Sequence, residues 1–236
     1  MSSGPATSSR PPQAWQAGNR VDLDLVEAVF AVGVGLPVAE LAVAGDPATA
    51  RAAAAALWMA RLWGDRDGHA CLAFGVGGHL GRSGRYEFRR FTQWFDRWPG
   101  GRHRLLAQAM AAADQADVYA GVLLGSGRSR RAGTAQPGRV AWADVDGAWT
   151  TQRAQALGRL GGWPTWKVQS GSGRHVYLPL EDLEPPERLE GWNRRLAALL
   201  QADNGWSQTK LLRLPGTYNH KARAAGGRSR LVRWLW

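Results

Sequence analysis

Apolar residues in this chain follow two rhythms. In the first half they recur mostly at helical spacings. Val21 to Val34 reads as a short helix. Asp46 supplies an N-cap and Pro47 a first-turn position for a second helix, which runs through an alanine-rich stretch to Trp63. Cys71 to Phe74 is a short apolar strand, and Gly75 to Gly84 a glycine-rich turn that does not fit G-x-G-x-x-G. Phe91, Trp94, Phe95 and Trp98 lie three and four apart, which predicts a helix over Phe88–Trp98 with those rings in the core. Arg104 to Ala113 is a further helix.

The second half reads as short strands and helices separated by Gly, Ser and Pro. Strands are expected at Asp117–Leu124, Arg139–Asp144, Thr165–Gln169, Arg174–Leu180 and Lys210–Leu214. Helices are expected at Thr150–Leu160 and Pro186–Ala202. From Arg139 onward the order is β-α-β-β-α-β, the ferredoxin-like order of RNA-recognition modules. The expected fold class is α+β. A ferredoxin/RRM-like unit spans 117–236, a mainly helical α/β subdomain spans 21–116, and residues 1–20, rich in Ser, Pro, Gly and Ala, form a disordered tail.

The chemistry concentrates where that unit's strands end. Asp144 and Asp146 lie two apart at a strand end, so both carboxylates project to one face. Two such charges repel unless a cation sits between them, and Mg²⁺ or Mn²⁺ prefers oxygen ligands. The segment Ser170-Gly171-Ser172-Gly173-Arg174-His175 is a Gly/Ser turn that delivers one histidine onto another strand. In a β-α-β-β-α-β sheet the first strand lies between the third and the fourth. The end of the first, at Asp144 and Asp146, then adjoins the start of the third, at Ser170–His175, and the start of the fourth, just after Asp203. Paired carboxylates, a histidine and a basic chain suggest phosphoryl transfer on nucleotides, in a catalytic palm.

Charge supports a polyanionic partner. The 236 residues carry a formal net charge of +11. From Asn204 to Trp236 there are seven Lys or Arg and no Asp or Glu. Arg128, Arg130 and Arg131, with Arg223 and Arg228 in that last stretch, are expected to track the phosphates of such a partner. Cys71 is the sole cysteine, which excludes an internal disulfide and a zinc site of several thiolates. No apolar run is long enough to span a membrane, no signal pattern opens the chain, and a cytoplasmic location is expected. The absence of G-x-x-x-x-G-K-[ST] excludes a P-loop motor.

Three segments together resemble the archaeo-eukaryotic primase superfamily, in particular the primase-polymerase domains of bacterial plasmids and phages. They are Asp144-Val145-Asp146, Ser170-Gly171-Ser172-Gly173-Arg174-His175, and Arg213-Leu214-Pro215-Gly216-Thr217-Tyr218-Asn219-His220-Lys221. The likeness covers about Tyr119 to Lys221. It implies template-directed nucleotidyl transfer with two Mg²⁺ or Mn²⁺ ions, nucleoside triphosphates as substrates, and a single-stranded DNA template with a primer. A helicase, separate or fused, is a partner the resemblance admits. Asp144 and Asp146 would be metal ligands and His175 would contact the incoming phosphates. Ser170, Gly171, Gly173, Lys210, Arg213 and Lys221 would complete the nucleotide site, with Thr217 and Asn219 holding a turn or touching sugar. One departure stands out. Relatives commonly carry an acidic residue shortly before R-L-P-G-T, whereas Gly205 to Lys210 contains none, which leaves Asp203 as the third metal ligand. Two other readings compete: a non-catalytic single-stranded nucleic-acid binder on the same sheet, and a replication-initiator or relaxase nicking enzyme. The second needs a His-x-His pair, and none of the five histidines lie two apart.

Overall fold

A computed structural model describes residues 22–32, 46–160 and 165–235; the tail expected over 1–20 lies outside them. In chain order come α1 (Leu23–Val32), α2 (Pro47–Trp63), β1 (Gly68–Leu80), β2 (Tyr86–Trp98), α3 (Arg102–Ala112) and β3 (Ala116–Gly121). Then follow β4 (Gly138–Val145), α4 (Thr151–Gly158), β5 (Trp166–Gln169), β6 (Arg174–Glu184) and α5 (Pro186–Leu200). The chain closes with β7 (Leu211–Arg213), β8 (Tyr218–Asn219), β9 (Arg230–Leu231) and β10 (Arg233–Leu235).

Helix α2 is the hub. The Asp46 carboxylate accepts from the backbone N–H groups of Ala48 and Thr49 at 3.3 and 2.9 Å, and Pro47 occupies the first turn, as the sequence predicts. Its alanines are small enough to let neighbours approach on several sides, and Ala52, Ala53, Ala55 and Ala56 are fully buried. Trp63 Nε1 donates to the Val122 carbonyl just beyond β3, and Trp58 Nε1 donates to the Tyr177 hydroxyl on β6 at 2.9 Å. Each indole thus meets its need for a buried acceptor while bridging to one of two sheets.

Those sheets have strand orders β2-β1-β3-β7 and β10-β5-β6-β4, antiparallel throughout, and β8 pairs with β9 in a short ribbon. Alternation sorts β4 between two cores. Val140 and Trp142 join the cluster around α2, whereas Ala141, Ala143 and Val145 pack with Leu157 of α4 and with Leu196 and Leu200 of α5. Asp144 therefore shares the α2 side of β4, the side that faces the first sheet.

Two expectations are corrected. Phe88–Trp98 is strand, not helix. Rings at positions 91, 94, 95 and 98 satisfy helical spacing, but on a strand they divide between faces, with Trp94 and Trp98 packed in the core and Phe91 45% exposed opposite. Its partner is the stretch expected as a glycine-rich turn. Gly75 and Gly78 make the pairing possible, since a Cβ there would meet the Phe88 ring at 2.4 Å and the Tyr86 hydroxyl at 1.9 Å. The second correction concerns the single ferredoxin-like sheet. The strand expected at Lys210–Leu214 pairs with β3 in the first sheet, and β10 takes a place in the second. The outer edge of β4 is instead covered by α5 and the segment after it. Asn193 Oδ1 accepts from the Trp142 N–H at 2.8 Å, Trp142 Nε1 donates to the Gly205 carbonyl at 2.9 Å, and the Asp203 N–H donates to the Asp144 carbonyl at 3.0 Å. Residues 203–205 thus satisfy the exposed edge that a fourth strand would have covered.

Candidate active site

The end of β4 is where these elements meet. Asp144 pairs in register with His175 on β6, and the Asp203 N–H ties the chain after α5 to the Asp144 carbonyl. The convergence expected from strand order is therefore present, reached through a loop along the β4 edge rather than through a ladder. The Asp203 carboxylate also lies close enough to Asp146 to raise its proton affinity. The three carboxylates come from two segments nearly sixty positions apart.

Their electrostatics differ. Asp144 is half-buried; burial would raise its proton affinity, but His175 and Lys210 offset this and hold its carboxyl below the usual range. Lys210 Nζ lies 2.8 Å from Asp144 Oδ2. Asp146 is exposed, yet its proton affinity is raised. Neighbours strip part of its water, and the Asp203 and Asp144 carboxylates lie close. Lys221 opposes this only in part. Negative charge is thus crowded at Asp146 and Asp203.

His175 is 2% exposed, with Nε2 3.7 Å from Asp144 Oδ1 and Nδ1 3.3 Å from the Tyr177 hydroxyl. Burial lowers its pKa to about 4, so near neutral pH it is an uncharged imidazole beside a carboxylate rather than half of an ion pair. The ring lies between Asp144 and the Tyr177 hydroxyl. The turn before it is built to fit. The Ser170 N–H donates to the Gly173 carbonyl at 3.1 Å, and the Ser170 carbonyl accepts from Asn219 Nδ2. A Cβ on Gly173 would stand 2.4 Å from the Val145 carbonyl oxygen and 3.2 Å from Asp146 Cα, so only glycine lets this turn lie against the end of β4. Asn219 also accepts from the Lys221 N–H at 2.9 Å, and Thr217 Oγ1 donates to the Leu214 carbonyl at 2.7 Å. Both hold the turn that carries Lys221.

Arg213 sits at the seam between the sheets. Its Nε lies 3.3 Å from Asp117 Oδ1, its guanidinium lies 5.0 Å from the centre of the Tyr119 ring, and its charge acts on Asp144. Asp117 was missed in the sequence. It is buried and accepts from the Tyr86 hydroxyl at 2.8 Å and from the His220 N–H at 3.1 Å. A carboxylate inside the apolar run Ala116–Leu124 is itself the available signal, since a buried charge requires partners.

The expected DNA-contacting arginines are more scattered. Arg128 donates to the Phe95 carbonyl at 3.3 Å and Arg130 to the Thr209 carbonyl, both bordering the open side of the first sheet. Arg131, Arg223 and Arg228 are exposed, away from the carboxylates' hydrogen bonds.

Among the described residues no group of three or more His, Cys, Asp or Glu side chains is drawn tightly enough to form a metal cage. The donor chemistry nevertheless suits a hard cation. Asp146 and Asp203 offer carboxylate oxygens whose mutual repulsion a divalent ion would relieve, and Asp144 offers a third if Lys210 yields.

No protein-family model matches the sequence, and no curated protein does. Among solved structures, the AEP domain of the cyanophage S-2L primase-polymerase is 14% identical, over 71% of this chain and 80% of that one, with a TM-score of 0.49. The primase RepB' is 16% identical, over 79% of this chain and 56% of that one, also at 0.49. The polymerase domain of Mycobacterium tuberculosis Ligase D, solved with DNA, is 16% identical, over 83% of this chain and 82% of that one, at 0.46.

Proposed function

We propose that this chain is a primase-polymerase of the archaeo-eukaryotic type, which transfers nucleotides onto a single strand of DNA or a primer paired to it. One observation carries the reading. Asp144, Asp146, His175 and Asp203, drawn from distant segments, meet at one strand end, and Lys210 and Arg213 stand beside them. Asp146 and Asp203, with Asp144, would hold divalent cations, which supply charge neutralisation for a triphosphate and activation of a 3′-hydroxyl. The chain's own residues do the rest. Buried neutral His175 positions Asp144. Lys210 balances Asp144 in the resting site and is placed to turn toward a phosphate. Arg213, braced by Asp117, presents positive charge beside the carboxylates. Gly173 sets the Ser170–His175 turn against Asp146, which fixes where the latter's carboxylate starts.

Incubation with Mn²⁺, labelled nucleotides and single-stranded DNA, with and without a primer, tests this directly. Labelled product should form and should disappear on chelation. Tight DNA binding with no product under either condition would favour the non-catalytic binder instead.

A further inference from the structure

One face of the first sheet packs against α2 and α3; among the described residues no α-helix lies on the other, although a short 3-10 turn at Lys221–Ala225 contacts β1 and the His220 N–H before it reaches Asp117. Strand register defines that open face. Gly75 pairs with Phe91 and with Asp117, and Ala73 with Tyr119, which in turn pairs with Arg213, so these residues point the same way. Phe88, Phe91 and Tyr119 form a continuous aromatic surface there, with ring centres 5.8, 6.2 and 6.3 Å apart. Phe91 is 45% exposed, whereas the rings on the other face are sunk in the core. Gly75 keeps the surface flat, because its missing side chain is where the Phe88 ring lies.

Two further observations say what covers it. First, guanidinium groups border it. Arg213 lies over Tyr119, Arg128 reaches the Phe95 carbonyl on β2, and Arg130 is near enough to Cys71, on the same face, for its charge to act on the thiol. The one carboxylate of the face, Asp117, is buried and occupied by its three donors. Second, the surface runs toward the carboxylate site, since Arg213 lies over Tyr119 and its charge also acts on Asp144, whose own charge acts on Tyr119. The face thus offers one exposed ring, Phe91, on a half-buried aromatic cluster, with arginines beside it. Such a face suits stacked nucleobases with a phosphate chain alongside.

We propose that Phe91, Phe88 and Tyr119 form a stacking platform that holds bases of a single strand as it enters the carboxylate site. This rests on the reading that the chain acts on single-stranded nucleic acid, and it adds where the bases lie. Phe91 makes the principal stack because it is the most exposed of the three.

The test uses the full chain without metal or nucleotide. Binding of a fluorescent oligothymidylate and of an abasic oligomer of equal length and charge is measured by anisotropy at one fixed salt concentration. Phe91→Ala should weaken oligothymidylate binding about tenfold, the scale of losing one base–aromatic stack, and leave the abasic oligomer unchanged. Phe91→Leu, which keeps apolar volume and guards against misfolding, should lose the same base-dependent part, whereas Phe91→Trp should keep it. Equal weakening of both oligomers, or of neither, would overturn the platform. Asp146→Asn in the same assay separates the two readings. Base-dependent binding that survives there, alongside a wild type that makes no product, keeps the platform and removes the polymerase. A wild type that extends primers while Phe91→Ala binds both oligomers normally does the reverse.

Discussion

Asp146→Asn should reduce nucleotide incorporation roughly a thousandfold, equivalent to several kcal/mol of lost charge stabilisation at the reacting phosphate. The same substitution should leave the melting temperature unchanged or raise it. Asp146 carries a proton affinity above that of a free aspartate because burial, Asp203 and Asp144 all disfavour its ionised form. A carboxylate whose proton affinity rises on folding opposes folding at neutral pH, so removing the charge relieves that strain. Loss of activity without loss of stability separates a residue placed for chemistry from one placed for structure. Primer extension and thermal melting on the same preparation check both halves. Wild-type incorporation in Asp146→Asn would remove the metal-binding role.

Asp117→Ala should have the opposite profile, with a large stability cost. Its carboxylate is buried and receives the Tyr86 hydroxyl, Arg213 Nε and the His220 N–H, so truncation strands three donors, one of them charged. Removing one partner of a buried ion pair costs about 3–5 kcal/mol. For a chain of this size that is roughly a 10 °C fall in melting temperature. Asp117→Asn keeps the shape and one acceptor oxygen, and should cost less. Activity should also fall, because Arg213 loses the brace that holds it over Tyr119. A melting temperature within a degree or two of wild type would mean that the three donors find water instead.

The contrast between those residues shows what the sequence could convey. Asp146 is legible because its spacing from Asp144 at a strand end forces two charges together, a local fact. Helix α2 is legible for the same kind of reason: cap, proline and alanine run lie side by side. Asp117 stands among apolar residues with no motif, and its partners Tyr86, Arg213 and His220 lie up to about a hundred positions away. β2 was misread because rings on both faces of a strand reproduce helical spacing, and only the glycines opposite reveal the pairing. The partner of β7 was misread because strand order alone does not say that 203–205 will satisfy the β4 edge. The convergence of Asp203 on Asp144 survived that error, since covering the same edge brings the same residue to the same place.

Asp203 is therefore where the account is most exposed. Its backbone is fixed to Asp144 and its carboxylate acts on Asp146, with no other carboxylate in the segment before β7. Primer extension by wild type, Asp146→Asn and Asp203→Ala under one Mn²⁺ concentration is the most direct measurement. If the three carboxylates form one site, Asp203→Ala should fall within about tenfold of Asp146→Asn, because residues acting as a unit do not lose activity additively. Extension by Asp203→Ala at the wild-type rate, with Asp146→Asn inactive, would contradict it and reduce Asp203 to the residue that ends the loop after α5.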